Sequence, residues 1–223
     1  ASTCPMENAM IDWSYIAEAL PDLFRGLGVT LMVSVLAIVF SLLLGLVGCI
    51  LRVSTIPLAG KLVAGYVDFI RGTPFLVQVF FIFYGLPDLG LRLSVFWSGV
   101  VALTVWASVF HIESFRAGFS SVGRNISDAS ASLGLKSWHH GVFIVVPIAL
   151  RSALPSTLNT VVGTIKNSAY LQAIGLAELT FVAIDRVASD FRTTEMFAAI
   201  CMIYLIIVLS VSALGHRLEK RLN

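Results

Sequence analysis

The stretch GLGVTLMVSVLAIVFSLLLGLVGCIL, residues 26–51, lies between Arg25 and Arg52 and contains no charged residue. A helix rises 1.5 Å per residue, so about 20 mostly apolar residues are needed to cross the roughly 30 Å hydrocarbon core of a bilayer. These 26 residues are enough for one crossing. The stretch therefore predicts a membrane-spanning helix and an integral membrane protein.

The composition of the 223-residue chain agrees with that class. Hydrophobic residues make up 57% of the chain and charged residues 13%, whereas soluble domains carry roughly 25% charged residues. The net charge of +2 is small and the basic residues are dispersed, so no nucleic-acid partner is expected. The cysteines, at positions 4, 49 and 201, show no disulfide or metal-ligand spacing.

Four further apolar stretches are also predicted to span the membrane. The sequence therefore predicts an all-α protein with five spans in a single transmembrane domain, residues 1–223. The predicted spans cover residues of about 26–51, 69–87, 93–115, 152–174 and 196–216. The second is short, because only 16 residues separate Arg71 from Asp88, so it needs residues around Phe69 and a snorkelling Arg71. The fourth is interrupted by Lys166 and by polar residues that a lipid-facing helix would not carry.

The distribution of lysine and arginine predicts the orientation, because cytoplasmic segments carry an excess of both. Five spans place the termini on opposite sides. With the C-terminus inside, ten basic residues are cytoplasmic, four are outside and Lys166 is in the membrane. The predicted topology is therefore N-out and C-in.

A predicted cytoplasmic loop, about residues 117–150, joins the third and fourth spans and contains DASASLGLKSWHHGVFIVVP at 128–147. Ser127 is a candidate N-cap, and the acidic residue after it suits the first turn of a short helix that reaches Gly134. Beyond the glycine, Leu135, Trp138 and Val142 form a short apolar stripe. From periodicity alone, the segment is either a partner-binding helix or an ordinary amphipathic connector.

The same segment resembles the signature of ABC-importer permeases, which reads E-A-A, three residues, G, nine residues, I, any residue, L-P. Asp128, Ala129 and Ser130 stand in the first three positions, Gly134 in the glycine position, and Ile144, Val146 and Pro147 in the last positions. The spacing matches throughout, and the departures fall at Asp128, Ser130 and Val146. Further stretches look like the branch of this family that moves polar amino acids: GLGVTLMVS from Gly26, IRGTPFLVQVFFIFYGLP from Ile70, IESFRAGFSSV from Ile112 and GTIKNSAYLQAIGLAEL from Gly163.

The resemblance implies a type I (MetI-like) ABC-importer permease of the bacterial inner membrane. In that arrangement two permease subunits, identical or similar, pair in the membrane above two ATPase subunits, and a solute-binding protein docks outside. The loop helix is then the coupling helix seated on the ATPase, with Asp128, Ala129, Ser130, Gly134, Leu135 and Trp138 at the contact. The chain has no phosphate loop of the G-x-x-x-x-G-K-[ST] type, so no cofactor is expected on it, and ATP and Mg²⁺ belong to the partner ATPase.

Polar residues within the spans are the candidates for a translocation path, because an ionisable side chain in the bilayer usually faces water or a partner charge. The candidates are Glu113, Asn159, Thr160, Thr164, Lys166, Asn167, Ser168 and Gln78. Asn159 and Lys166 are seven residues apart and share a helix face. A zwitterionic amino acid needs a cation or hydrogen-bond donors for its carboxylate and acceptors for its ammonium, and that face offers both.

Alternatives remain open for several of these residues. Glu113 and Lys166 pair with each other or with backbone carbonyls, or Lys166 contacts substrate, or Lys166 snorkels to the interface. Gln78 faces the path or makes a hydrogen bond between spans. Thr73 is a possible cap for a helix that opens at Pro74. The adjacent His139 and His140 point about 100° apart on a helix, so metal binding is not expected.

The sequence thus favours a permease subunit that carries polar amino acids and is not itself an enzyme. One alternative keeps the importer fold and changes the cargo to an opine, a compatible solute or a sulfur amino acid. A second is a membrane scaffold or sensor that uses the loop helix to bind a signalling partner. An intramembrane enzyme is a third, but no catalytic constellation supports it.

Overall fold

The computed structural model describes residues 11–222, apart from the side chains at positions 124, 127, 131 and 222. Its regular elements are all helical. The α-helices are α1 (Trp13–Val53), α2 (Pro57–Arg71), α3 (Phe75–Phe80), α4 (Val95–Ser120), α5 (Arg124–Ser132), α6 (Ser137–His140), α7 (Val146–Asn167), α8 (Leu179–Asp190) and α9 (Thr193–Leu222). Turns of π-helix cover Phe81–Gly85 and Gly141–Val145, and 3-10 turns cover Leu86–Leu89 and Ser168–Ile174.

Within this part of the chain, four helical segments are long and apolar enough to cross a membrane, and a fifth is added if the bent pair α2 and α3 counts as one span. The first is longer than its predicted span, since α1 begins at Trp13. Asp12 caps it, because its carboxylate accepts hydrogen bonds from the backbone amides of Ser14 and Tyr15 at 3.0 and 3.2 Å. The 41 residues of α1 extend about 60 Å at 1.5 Å per residue, so one end projects beyond the hydrocarbon core.

The predicted span 69–87 is not a straight helix. The chain bends by 106° between Pro57–Arg71 and Phe75–Leu89. Pro74 causes the break, because proline lacks an N–H and its own backbone is extended here, with ψ of 137°. The expected N-cap by Thr73 is also wrong. Its hydroxyl donates backwards to the carbonyls of Phe69 and Ile70, at 3.1 and 3.3 Å, and so closes the end of α2.

Helix α4 lies at the centre of the bundle, with α1 on one side and α7 on the other. In its most apolar part 56% of the residues are buried, against 11% in the segment that ends at Ile174 and 11% in α9. Helix α8 packs against α1 and α9 at the end of the bundle that is predicted to be outside. The helices α7 and α9 therefore turn most of their apolar surface away from the rest of the chain.

Glycines set the closeness of α4 to its two neighbours. A Cβ added at Gly45 of α1 would lie 2.5 Å from the Cβ of His111, and one added at Gly48 would lie 2.5 Å from Ile112 Cδ1. On the other side of α4, a Cβ at Gly118 would lie 2.3 Å from the carbonyl oxygen of Ala149 in α7. Small residues let helix backbones approach in a membrane, where lipid removes the hydrophobic drive for helix association.

The variant Gly118→Ala tests the contact between α4 and α7. The added methyl group collides with a backbone oxygen that cannot rotate away, so α7 has to move, at an overpacking cost of about 1–3 kcal/mol. We expect the thermal unfolding midpoint in detergent to fall. Gly28→Ala is the matched control, because a Cβ at that helical position meets no atom within 4 Å. Equal midpoints for the two variants would contradict the packing described for Gly118.

Candidate functional site

A cavity of about 360 Å³ opens between α4, α7 and the end of α2. It brings together three of the predicted path residues, Glu113, Asn159 and Thr160. The remaining lining residues are Arg71, Phe110, Ser114, Ala117 and Ser156. Its volume lies in the range of roughly 300–1,000 Å³ that is common for small-molecule sites. The cavity is the candidate translocation site in this chain.

The α7 wall of the cavity presents oxygen acceptors. The hydroxyl of Ser156 donates to the Ala153 carbonyl at 2.9 Å, and the hydroxyl of Thr160 donates to the Ser156 carbonyl at 3.1 Å. Each hydroxyl thus uses its single hydrogen on its own helix and keeps lone pairs for another donor. Asn159 is exposed beside them. This wall can accept hydrogen bonds from a cationic group of a solute.

Glu113 does not pair with Lys166. Its carboxylate forms an ion pair with Arg116 at 2.7 Å and lies 3.6 Å from Arg52 of α1. Glu113 shares a cavity with Asn159, and Lys166 is seven residues farther along α7, about 10 Å at 1.5 Å per residue. The two charges are therefore separated along the bundle axis, and the pairing that the sequence left open is wrong.

The structure leaves the other α7 candidates outside this cavity. Thr164 and Ser168 are fully buried, and their hydroxyls donate to carbonyls of their own helical turns, to Thr160 at 2.9 Å and to Ile165 at 2.8 Å. Asn167 is half-buried. The exposed Lys166 makes no hydrogen bond or ion pair with any residue in the range 11–222. Direct substrate contact by Lys166 stays a prediction.

Gln78 was predicted to face the translocation path or to form a hydrogen bond between spans; the structure instead shows it bonded across the break within one predicted span. It is buried, and its amide nitrogen donates to the carbonyls of Ile70 and Thr73, at 2.8 and 3.1 Å, and to the Thr73 hydroxyl at 2.9 Å. These bonds join α3 to the end of α2 across the 106° break. Gln78 therefore holds the bend, which positions Arg71 at the end of α2.

Sequence reasoning missed Arg71 as a site residue, because it treated the side chain only as a snorkelling cation. The guanidinium carbon lies 5.7 Å from the ring centroid of Phe110, and both residues line the cavity. The RGTP segment, which was considered both as the start of a helix and for a role in transport, carries the signal. A proline three residues after an arginine ends the helix at that arginine, so the charge lies at a break inside the apolar region.

The predicted coupling loop, about residues 117–150, contains two short helices joined by a left-handed glycine. Helix α5 begins at Arg124 rather than after an N-cap at Ser127, and it ends at Ser132. Gly134 has φ of +69°, a conformation that non-glycine residues rarely adopt. The chain then forms α6 and a π-helical turn before α7. The bend predicted at Gly134 is confirmed as backbone geometry.

The predicted contact residues of the loop lie largely on its surface. Asp128 and Ala129 are exposed on α5. Leu135 and Trp138 are 40% and 58% exposed, and the Trp138 ring stacks on His139 with a centroid distance of 3.6 Å. Apolar side chains that are fixed yet exposed at a helix end offer anchors for a partner protein. Within residues 11–222, no three His, Cys, Asp or Glu side chains are grouped so that they could hold a metal ion.

Ser130 differs from the other loop residues because it is buried. Its hydroxyl donates to the Ile126 carbonyl at 2.7 Å and lies 3.0 Å from Nδ1 of His140. Because the hydroxyl hydrogen is used on α5, the serine oxygen accepts from Nδ1–H of the histidine. This bond connects α5 to α6 across the bend at Gly134. It also gives a structural role to the serine that stands where the family signature has alanine.

Polar contacts connect α8 and α9 at the end of the bundle that is predicted to be outside. The buried Glu178 caps α8 by accepting from the amides of Thr180 and Phe181, at 3.0 and 2.8 Å, and it also accepts from the Tyr204 hydroxyl of α9 at 3.0 Å. Burial raises the pKa of the Glu178 carboxyl, and these hydrogen bonds oppose the rise. The sequence analysis did not identify this cluster.

A charged pair lies at the same end of the bundle. Asp22 of α1 forms an ion pair with Arg186 of α8. Both residues line an open cavity of about 520 Å³ together with Arg25 and Asp185. This end, which is predicted to be outside, therefore presents charges of both signs next to a concave surface.

Comparison with known proteins decides the family. The sequence model of the family described as binding-protein-dependent transport system inner membrane component matches residues 45–223. The chain belongs to this family. It is thus a membrane component of a transport system rather than an enzyme, and membership implies an ATPase and a solute-binding protein as partners.

Relatives and solved structures agree along nearly the whole chain. The glutamine transport system permease protein of Escherichia coli K12 is 34% identical over 214 residues, which cover 95% of this chain and 98% of that protein. A probable amino-acid ABC transporter permease protein of Vibrio harveyi is 33% identical, with coverages of 95% and 96%. The arginine transport system permease protein of Bacillus subtilis is 27% identical, with coverages of 96% and 98%.

The crystal structure of an amino acid ABC transporter with histidines matches with a TM-score of 0.89 at 31% identity and covers 95% of this chain and 99% of that one. An inward-facing methionine ABC transporter, MetNI, matches with a TM-score of 0.76 at 19% identity, which shows the fold alone. These matches confirm the all-α, MetI-like importer-permease fold that the resemblance implies.

The variant Ser130→Ala tests the connection between α5 and α6. Loss of a hydrogen bond worth about 0.5–1.5 kcal/mol should loosen the bend, so amide hydrogen exchange across residues 133–140 should become roughly two- to tenfold faster. Ser132→Ala is the matched control, because its hydroxyl makes the same backward bond, to Asp128 at 2.9 Å, without a link to α6. Equal exchange rates in the two variants would disprove the bridging role of Ser130.

Proposed function

We propose that this chain is the membrane-spanning permease subunit of an ATP-binding-cassette importer for polar amino acids. The observation that carries the proposal is the cavity between α2, α4 and α7, which combines a cation at Arg71 with oxygen acceptors on α7. A zwitterionic solute needs both kinds of group. The relatives named for glutamine and arginine transport, and the structural match to an amino acid ABC transporter, support this cargo class.

Energy enters through the coupling loop. Two partner ATPase subunits hold ATP and Mg²⁺, and this chain binds no cofactor itself. Closure of the ATPases on ATP moves the loop helices, and rigid-body rocking of the spans exposes the cavity to the opposite side of the membrane. The exposed residues Leu135 and Trp138 supply the apolar anchors of that contact, and Asp128 supplies a charge.

A second permease, identical or similar, completes the path. Helices α7 and α9 leave most of their apolar surface open, and Asn159 of α7 is exposed in the cavity lining. A partner subunit on this face would enclose the path and exclude lipid from it. The extracytoplasmic binding protein docks on the charged outer end, near Asp22 and Arg186. The assembly is a multi-pass complex of the bacterial inner membrane.

The variant Gly134→Ala tests the coupling role of the loop. A side chain at φ of +69° costs about 1–2 kcal/mol, so the two halves of the loop should reorient. We expect ATP hydrolysis by the assembled complex to lose most of its stimulation by the binding protein. The measurement is the ATPase rate in proteoliposomes, together with pull-down of the ATPase.

Gly141→Ala provides the control, because a Cβ at that position meets open space and the backbone there is helical. It should behave like the wild type in both assays. If Gly134→Ala retains full stimulation and full association, the loop is only a connector and the proposed mechanism fails.

A further inference from the structure

Glu178 is a buried acid without a counter-ion. It is 0% exposed and lies directly before α8. Among residues 11–222 its carboxylate takes part in no ion pair, whereas the buried Glu195 of α9 pairs with Arg192 at 3.2 Å. A charge that is buried without a partner of opposite sign is costly, and a carboxyl in that position favours binding a proton instead. Glu178 is therefore a candidate proton site.

Hydroxyl groups surround this carboxyl on the sides of α1 and α9. The Tyr204 hydroxyl lies 3.0 Å from Oε2 of Glu178 and 3.0 Å from the Thr180 hydroxyl, and either atom of the second pair is able to donate. Thr30 of α1 lies 3.4 Å from the same Oε2 atom. Because a hydroxyl both donates and accepts, these positions suit two protonation states. A carboxylate accepts from Tyr204, and a carboxylic acid donates to Tyr204, whose own hydrogen then turns to Thr180.

The backbone amides at the start of α8 also suit both states. The amide of Phe181 donates to Oε1 at 2.8 Å, and the amide of Thr180 donates to Oε2 at 3.0 Å. When a proton is on Oε2, Oε1 remains a carbonyl oxygen and Oε2 keeps a lone pair. Neither amide therefore loses its acceptor when Glu178 takes up a proton.

The charges of the neighbouring elements are used elsewhere. The elements packed against α8 are α1, α9 and the 3-10 turn Ser168–Ile174, whose tyrosine contacts Phe75. Tyr204 is the titratable group in hydrogen-bond contact with Glu178, and Glu18 and Asp185 are exposed. The charged side chains that form ion pairs with one another at this end are Asp22 with Arg25 and Arg186, Asp190 with Arg186, and Glu195 with Arg192. Burial raises the pKa of the Glu178 carboxyl above its ordinary value.

The same cluster is the point where α1, α8 and α9 meet. The amide of Leu179 donates to the Thr30 hydroxyl of α1 at 3.1 Å, and a Cβ added at Gly26 of α1 would lie 3.0 Å from the Cα atom of Leu179. On the other side, Tyr204 connects Glu178 to α9. Any separation of α8 from these helices therefore admits water to the Glu178 carboxyl.

We propose that Glu178 is a proton-binding site that controls how firmly α8 is held against α1 and α9. The acid keeps its proton while α8 is closed on the two helices. The proton passes to water when α8 separates and the carboxyl becomes hydrated, and it returns from the same side, so no net proton crosses the membrane. The effect on transport rests on the proposed function, because α8 belongs to the end at which the binding protein docks.

The direction of the pH effect follows from the difference between the closed and the hydrated states. Burial raises the pKa of Glu178 in the closed state, whereas a hydrated glutamate titrates at about 4.3. The closed state therefore binds the proton more tightly, and protonation stabilises closure. This stabilisation is fully present below the pKa of the hydrated state and is lost as the pH rises through the raised pKa. Acid should hold α8 closed and slow every step that requires α8 to move.

Infrared spectroscopy of the purified permease–ATPase complex in lipid nanodiscs tests the proton site directly, because a protonated carboxyl and a carboxylate absorb at different frequencies. The wild type should keep a protonated-carboxyl band at a pH above that at which exposed glutamates ionise, and Glu178→Gln should lack this band. Glu18→Gln is the matched control, since Glu18 is an exposed glutamate of α1, and it should keep the band. Tyr204→Phe removes a hydrogen bond that lowers the pKa of Glu178, so its band should persist to a higher pH than in the wild type.

The ATPase rate tests the control of α8. In proteoliposomes that enclose the binding protein and expose the ATPase subunits, the enclosed pH is changed while the ATPase side stays at one pH. Acidification from neutral pH should lower the stimulated rate of the wild type at least about twofold. Glu178→Gln keeps an acceptor oxygen and gains N–H donors, as the protonated acid does, so its rate should be low and independent of the enclosed pH. Glu18→Gln should respond as the wild type does.

The outcomes separate this inference from the proposed function. If Glu178→Gln keeps the same titrating band as the wild type, Glu178 does not hold the proton and the inference is overturned, while the proposed function stands. If Glu178→Gln does not fold, an unchanged band midpoint in Tyr204→Phe overturns the inference instead. A band that depends on Glu178, with a wild-type rate that ignores the enclosed pH, overturns the control of α8. A complete system that takes up no amino acid overturns the cargo class, and the infrared titration still decides the proton site.

Discussion

The close contacts of α4 with α1 and α7 are the constraint on which the rest of the structure depends. In a bilayer, apolar side chains gain little by leaving lipid for protein, so packing and local polar contacts have to hold the helices together. Gly45 and Gly48 supply the approach on one side and Gly118 on the other. Because α4 is held between two helices at near backbone distance, Glu113 is fixed opposite Arg52 and beside the polar wall of α7.

The break between α2 and α3 determines which groups the bundle of α1, α4 and α7 presents to a ligand. A straight span over residues 69–87 would leave Arg71 to snorkel towards water. Pro74 instead turns the chain by 106°, and Gln78 and Thr73 satisfy the carbonyls that the broken helix exposes. Irregular backbone at membrane depth is tolerated only where protein or a water-filled cavity takes up its polar groups. The bend therefore places a cation at a cavity without leaving the end of α2 unsatisfied.

Much of this architecture follows from one-dimensional features of the sequence. Long uncharged stretches define the spans, the resemblance of the loop to a known signature indicates the family, and a polar face on the fourth span indicates Asn159 and Thr160 as cavity residues. Pairings between distant segments could not be derived in the same way. Glu113 pairs with Arg116 and Arg52 and not with Lys166. The antiparallel register of α4 and α7 separates Glu113 from Lys166, and this register is a property of the packed helices.

Competition between alternative local hydrogen bonds of hydroxyl side chains explains the remaining differences between the predicted and the observed roles. Thr73 can cap the following helix or close the preceding one, and the carbonyls freed by Pro74 decide in favour of the second. Thr164 and Ser168 are polar like Asn159, but both are fully buried and lie outside the cavity. Their hydroxyls bond to backbone carbonyls of their own turns, as those of the cavity residues Ser156 and Thr160 also do. Neither polarity nor these local bonds therefore distinguish a hydroxyl that lines the cavity from one that packs inside the bundle.

The continuity of the helical run from Ser137 to Ile174 connects the loop to the cavity. Trp138, near one end, is exposed for a partner, and Asn159 lies 21 residues farther, about 30 Å along the same rod. A close approach of this rod to the central helix, Ala149 against Gly118, lies about midway between them. A tilt about that contact would carry Trp138 and Asn159 in opposite directions while Arg52 and Glu113 stay with α1 and α4. Force applied at the loop would thus change the distance between the oxygen acceptors of α7 and the basic end of the cavity, which is the change that releasing a bound zwitterion requires.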